Sequence, residues 1–313
     1  MTGNDEKPKR IVLDRAWLKG GAAAEAQAND ALRALTCNLK KAKPCCGGKG
    51  YRIALQGALA HAELCSCVRE CSACCGRARL LDGNDSKACR QPSPNVVVNL
   101  INAAHIPARY ADAEVGSFRN FSGNAREVLA EISRWKSRFR PVQSQGLVIE
   151  GPVGVGKTYL LAALAKEFAE QGWSVRFSDF FQLLGELKAG FSEGKADAQQ
   201  LQPLIDVDVL FIDELGKGRN NDFELTVLDQ LVCGRYNQNK TIIASTNYRL
   251  KASPGAHLYN YELDSKPGSS GDFAGERFTN LEQRIGPRIY SRLKEMTQFV
   301  ELTGVDYRRR EAT

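Results

Sequence analysis

Three groups of residues in this sequence have the types and spacing to do chemistry. The first is Gly151-Pro152-Val153-Gly154-Val155-Gly156-Lys157-Thr158, a G-x-x-x-x-G-K-[ST] phosphate loop. Its glycines let the backbone curl so that consecutive N–H groups point inward, where the positive end of the following helix also lies. Lys157 would neutralise phosphate charge and the Thr158 hydroxyl would complete a Mg²⁺ shell. With the adjoining Tyr159, residues 151–159 are the expected nucleotide-binding stretch.

The second group is acidic. Asp213-Glu214 closes the apolar run 207–212. Asp213 at a strand end can bind Mg²⁺ through water, and Glu214 can orient or deprotonate an attacking water. In most proteins such a pair is a loop feature; behind a phosphate loop at this distance it reads as the Walker B partner. The next apolar run, 241–245, leads into Thr246-Asn247. Asn247 there would lie between the two Walker elements and could hold the hydrolytic water, the plain alternative being a strand-terminating Asn. Further on, Arg288 and Arg292 are four residues apart and share a helix face. A guanidinium aimed at a neighbour's γ-phosphate stabilises transition-state charge, although such a pair alone is more often surface charge.

The third group is made of cysteines, nine of the ten lying before residue 95. Tetrahedral zinc takes its ligands from tight turns in which a glycine frees the backbone, and Cys71-x-x-Cys74 before Gly76 meets that description. The knuckle Cys45-Cys46-Gly47-Gly48-Lys49-Gly50 resembles half of a C-x-x-C-x-G-x-G ribbon with Lys43 where the first cysteine would sit. One assignment puts Cys46, Cys65 and Cys67 at one site and Cys71, Cys74 and Cys89 at a second. The partner missing from the first knuckle could instead be Cys45, Cys37 or His61; a single site is the alternative to two, and free or redox-active thiols compete with both.

These residues need elements to position them. Leu147-Val148-Ile149 reads as a buried strand before the loop, and residues 159–168 as a helix after it. Strand and helix then alternate: 174–177 extended, 180–188 helical, 207–212 extended, 223–236 helical, 241–245 extended. That alternation predicts right-handed crossovers and a mostly parallel sheet covered on both faces. A short helix before Pro107 and a helix over 124–139, with the stripe Val128, Ile132, Trp135 and Phe139, precede the loop. Helix over 280–296 and a last strand over 298–302 follow. Residues 249–279, rich in Pro, Gly and Ser, read as a flexible insertion. Helix is also expected over 11–43, interrupted at Gly20-Gly21.

The chain has 313 residues, 43 basic and 36 acidic. Residues 1–95 hold 16 of the basic and 9 of the acidic ones, leaving 27 of each afterwards, so the excess sits in the first third. That shift supports a boundary near Gln91-Pro92-Ser93-Pro94, between a helical, Cys-rich module over 1–94, zinc-binding by its cysteines, and the phosphate-loop domain over 95–313. With neither an apolar signal core nor an apolar run of membrane-spanning length, a soluble cytoplasmic protein is expected. Dense cysteine in that setting argues for metal over disulfides. Four thiolates around Zn²⁺ leave a net charge of −2, which weakens the basic excess as an argument for nucleic acid.

With these residues in hand, the chain resembles the DnaC/IstB-like AAA+ ATPases, the bacterial helicase loaders and transposition helpers. The likeness runs through Ile106-Pro107-Ala108-Arg109-Tyr110, Phe118, the phosphate loop, Ile212-Asp213-Glu214-Leu215-Gly216, Thr246-Asn247, Arg288-x-x-x-Arg292 and Gly304-x-Asp306-Tyr307-Arg308. It implies an α/β AAA+ P-loop fold, here preceded by a small zinc-ribbon-like domain, with ATP hydrolysis at subunit interfaces of a homo-oligomer. It makes Asn247 the sensor-1 residue, Arg288 the arginine finger and Arg292 a second phosphate-side arginine. Pro287 departs from the acid common in relatives, and the insertion is unusually long. The implied function is loading of a replicative helicase on single-stranded DNA, with ATP, Mg²⁺ and Zn²⁺ as cofactors. Its rivals are a transposition or phage-replication helper acting on duplex DNA and a nucleotide-switched protein adaptor with no DNA role.

Overall fold

The computed structural model describes residues 45–47, 49–66, 68, 79–82, 85–88, 95–119, 123–140, 145–194, 196–250 and 280–307. The helices expected over 11–43, the knuckle at Cys71 and Cys74, Cys67, Cys89, Arg308 and most of the insertion lie outside them.

Five parallel strands form the central sheet: β5 (Gly146–Glu150), β6 (Val175–Asp179), β7 (Val209–Asp213), β8 (Thr241–Thr246) and β9 (Thr297–Glu301). Their spatial order is β6-β7-β8-β5-β9. The phosphate-loop strand β5 therefore sits beside β8, and β8 beside the acidic strand β7. Successive side chains point to opposite faces, and both faces are covered. Leu147, Ile149, Phe211 and Ile243 enter one core, whereas Val148, Leu210, Ile212 and Ala244 enter the other. This is the parallel sheet covered on both faces that the strand–helix alternation predicts, in the P-loop arrangement that the family resemblance implies. Among the described residues, no helix is long and apolar enough to cross a membrane.

The first core is closed by α1 (Asn95–Ala103), α2 (Ala125–Arg138) and α3 (Lys157–Glu170). The α2 stripe behaves as its spacing predicts, with Val128, Ile132, Trp135 and Phe139 all buried while Arg126, Arg134 and Arg138 face solvent. The second core is closed by α4 (Phe180–Ser192), α5 (Asp197–Asp206), α6 (Asp222–Asn237), α7 (Leu281–Ile285) and α8 (Pro287–Met296). The single helix expected over 280–296 is two, because Gly286 adopts φ +83° and Pro287 restarts the chain at the first helical position, where its missing N–H costs nothing. Helix α5 was not expected at all; Pro203 inside it obscured the pattern.

A hairpin of β1 (Tyr51–Gln56) and β2 (Leu59–Leu64) turns at Gly57, and a second pairs β3 (Arg79–Asp82) with β4 (Asp85–Ala88). Although the first hairpin lies before residue 94, its Tyr51, Ala60 and Ala62 join the core of α1 and α3. Asn102 clamps it, accepting from the Ala62 N–H at 2.6 Å and donating to the Ala62 carbonyl at 3.0 Å. Backbone bonds from Ala60 N to Ile106 O and from Ala108 N to Ala58 O complete the seam.

Arg235 of α6 is fully buried and donates to the carbonyls of Leu204, Ile205, Val207, Asp208 and Thr241. Burial lowers its pKa to about 9, which still leaves it cationic at neutral pH. Replacement by Leu strips donors from five carbonyls at once. It should destabilise the fold by about 3–5 kcal/mol, as a drop in the urea midpoint at unchanged slope would show.

Candidate nucleotide site and cysteine cluster

The phosphate loop leaves the end of β5 and feeds α3 at Lys157. Gly154 and Gly156 hold φ +83° and +100°, a region open to glycine at little cost. Neither has room for a side chain. A Cβ on Gly156 would lie 2.7 Å from the Phe118 ring, and one on Gly154 would lie 1.9 Å from Asp306 Oδ1. The Tyr307 N–H also donates to the Gly154 carbonyl at 3.0 Å, so the terminal segment of the family likeness grips the loop. Tyr110, Phe118 and Tyr159 pack as one aromatic group next to it, with centroids 6.5 and 5.9 Å from the Tyr159 ring. Lys157 is buried, its ammonium donating to the carbonyls of Gly151 at 2.8 Å and Pro152 at 2.7 Å.

Asp213 ends β7 and is 4% exposed. Burial pushes its carboxyl above the ordinary range, while hydrogen bonds from the Ser245 and Thr158 hydroxyls hold it down. The two residues expected to share Mg²⁺, Thr158 and Asp213, are thus neighbours. Ser245 does double duty, donating to Asp213 Oδ1 at 2.5 Å and accepting from the Glu214 N–H at 3.1 Å. Glu214 has φ +53°, unusual for a residue with a side chain, and its carboxylate pairs with Lys217. Thr246 spans the two Walker elements: its carbonyl accepts from the Gly151 N–H at 3.3 Å and its hydroxyl donates to the Leu215 carbonyl at 2.9 Å. Asn247 follows directly, half-buried, at the end of the strand between β5 and β7.

A glycine cradle, a buried lysine and paired oxygen donors fit a nucleotide triphosphate with a hard divalent cation. The arginines stand elsewhere. Arg288 is exposed on α8 and pairs with Asp229 of α6 at 3.4 Å, and Arg292 lies over the Tyr236 ring at 5.8 Å. Sequence reasoning missed Ser245 and the buried Glu224 and Arg284, whose types and spacing carry no motif.

Among the described residues, Cys45, Cys46 and Cys65 form one cluster, their sulfurs all within 4.8 Å of one another. Cys45 thus joins Cys46 and Cys65, a partner left open by the spacing. The Gly50 N–H donates to Cys46 Sγ at 3.3 Å, and β1 and β2 carry the chain from one thiol pair to the third. Lys49, within the same turn, pairs with Glu114 at 3.0 Å and Glu170 at 3.5 Å, and the Tyr51 hydroxyl also meets Glu170.

Residues 93–251 match the sequence profile of the IstB-like ATP binding protein family. The replicative helicase loader DnaC of Escherichia coli K12 is 29% identical over 105 residues, which cover 33% of this chain and 43% of that protein. A protein named for ATP binding in insertion sequence IS21 of Pseudomonas aeruginosa is 32% identical over 103 residues, covering 33% of this chain and 38% of that protein. The chain thus spans under half the length of these curated relatives. Among solved structures, that of the DnaC helicase loader overlays with a TM-score of 0.49 at 27% identity, covering 62% of this chain and 98% of the other.

Proposed function

We propose that this chain, which belongs to the IstB-like ATP binding protein family, is a cytoplasmic DNA-replication accessory protein that loads a ring-shaped replicative helicase on single-stranded DNA. Membership makes it an ATP-binding AAA+ ATPase. The observation that supports the finer reading is the thiol cluster on a hairpin packed into the first core, which we read as the module that holds the partner protein. At Zn–S distances of about 2.3 Å, tetrahedral geometry separates sulfurs by about 3.8 Å, which this cluster accommodates. We assign Cys45, Cys46 and Cys65 as three zinc ligands, with Cys67 the nearest candidate in sequence for the fourth. Cys71, Cys74 and Cys89 remain the proposed ligands of a second ion.

In the ATPase reading, Lys157 binds the phosphates, while Thr158 and Asp213 hold Mg²⁺, which when bound neutralises charge developing on the phosphoryl oxygens. Glu214 takes a proton from the attacking water, and Asn247 orients that water. Arg288, with Arg292 behind it, serves the site of the next subunit in a homo-oligomer. Exposure of Arg288 on α8 supports that assignment.

A second reading, a helper acting on duplex DNA, is favoured by the IS21 protein, which is as similar to this chain as the loader is. The deciding experiment measures ATP turnover by the zinc-loaded protein across protein concentration, with single-stranded or duplex DNA, followed by helicase pull-down. Turnover per subunit rising with concentration and single-stranded DNA, and helicase capture lost in Cys65→Ser together with zinc, is expected. Stimulation by duplex alone would favour the helper. Flat, DNA-indifferent turnover would leave a nucleotide-switched adaptor.

A further inference from the structure

The turn after Asp213 carries Glu214 in an uncommon backbone state, and its two ends are held from different elements. Ser245 holds the start, as described. The continuation passes through Gly216, at φ +87°, to Asn220, at φ +60°. Arg284 of α7, 5% exposed, donates from Nε to the Gly216 carbonyl. The fit is close, since a Cβ on Gly216 would lie 3.1 Å from Arg284 Cγ and 3.3 Å from the Tyr248 ring. That ring lies 5.8 Å from the guanidinium carbon. The guanidinium also pairs with Glu224, 4.0 Å from its Oε2. Glu224, buried in the first turn of α6, accepts from the N–H groups of Arg219 at 3.0 Å and Asn220 at 2.8 Å. One buried pair thus grips the turn at Gly216 and again at Arg219 and Asn220.

Taking a guanidinium out of water is costly, and an apolar side chain of similar volume would pack α7 as well or better. What Arg adds is a donor fixed in direction, spent on a backbone carbonyl two residues beyond Glu214. We propose that Arg284 is a positioning residue for hydrolysis: by pinning Gly216 it fixes the turn that aims the Glu214 carboxylate. This rests on the role proposed for Glu214.

The test compares Arg284→Lys and Arg284→Met, each alone and combined with Glu214→Gln, by turnover, ATP affinity and thermal melting. Lysine keeps the charge and loses the Nε–H donor. Both variants should lose about tenfold in kcat, with ATP affinity within about twofold of the parent, because a misaimed base spoils the reaction and leaves binding alone. Neither should lower the residual turnover of Glu214→Gln any further. Parental kcat in Arg284→Lys, or a further loss of the same size on top of Glu214→Gln, would overturn the proposal while leaving Glu214 its role. Parental turnover by Glu214→Gln alone would remove that role and the proposal with it. Should Arg284→Met fail to fold, Arg284→Lys decides; failure of both to fold would make Arg284 a purely structural residue and overturn it.

Discussion

Glu214→Gln is expected to bind ATP as the parent does and to lose at least about a hundredfold in turnover, the lower end of what a positioned general base supplies. The amide is nearly isosteric with the carboxylate and keeps an oxygen acceptor, so the turn and its Ser245 bond should persist. Lost is the capacity to take a proton. Affinity should survive because the groups assigned to the nucleotide, the loop amides, Lys157, Thr158 and Asp213, are untouched. In the structure the Glu214 carboxylate is paired with Lys217, and that exposed pair is worth at most about 1 kcal/mol, too little to keep Glu214 from a water aligned for attack. A fluorescent-nucleotide titration beside a phosphate-release assay separates the two quantities. Turnover equal to the parent's would reject the assignment, and loss of affinity in parallel would make Glu214 part of the binding surface instead.

The sequence carries the Walker residues because each is tied to a rigid spacing rule. A phosphate loop must join a strand to a helix, and its acidic partner must end a strand of the same sheet, so spacing alone singles out Lys157, Thr158 and Asp213. Strand order followed less directly: alternation announces parallel strands, while the insertion of β8 between β5 and β7 depends on crossovers no local pattern records. The residues that hold the acidic turn were illegible for a different reason. Ser245 reads as one more strand residue and Arg284 as one residue of the helix over 280–296, because nothing in a residue's type declares which backbone group it will meet.

The N-terminal side shows the same limit. Tyr51, Ile53 and Leu55 alternate along β1, and Gly57 stands between two runs of six residues, which is a hairpin signal. The flanking cysteines compete with that signal, because their spacing also suits the short turns of a metal site. The composition shift near residue 94 marks a change of chemistry, yet packing of Tyr51, Ala60 and Ala62 into the first core crosses it. Zinc at the thiol cluster would thus stiffen a hairpin whose edge meets Ile106 and Ala108, next to Tyr110 and so to the aromatic group beside the phosphate loop.

Lys157→Ala should weaken ATP binding by about a hundredfold, which is ~2.7 kcal/mol. The ammonium is the buried cation of the loop, and charge-assisted bonds of this kind contribute about 1.5–3 kcal/mol each. Part of that gain is already spent, since the same ammonium bonds the carbonyls of Gly151 and Pro152 at 2.8 and 2.7 Å. Nucleotide binding must exchange or share those donors, so the loss should fall short of two full bonds. Removing the side chain also unties the loop from itself, leaving the Tyr307 N–H bond to the Gly154 carbonyl in place. The variant should therefore keep its fold, because the sheet beneath is closed by two apolar cores that Lys157 does not enter. Isothermal titration with ATP and Mg²⁺, read beside a thermal melt without nucleotide, checks both halves. Unaltered affinity would remove Lys157 from the site, whereas a collapsed melt would show that its loop carbonyl bonds, and not its charge, were its main contribution.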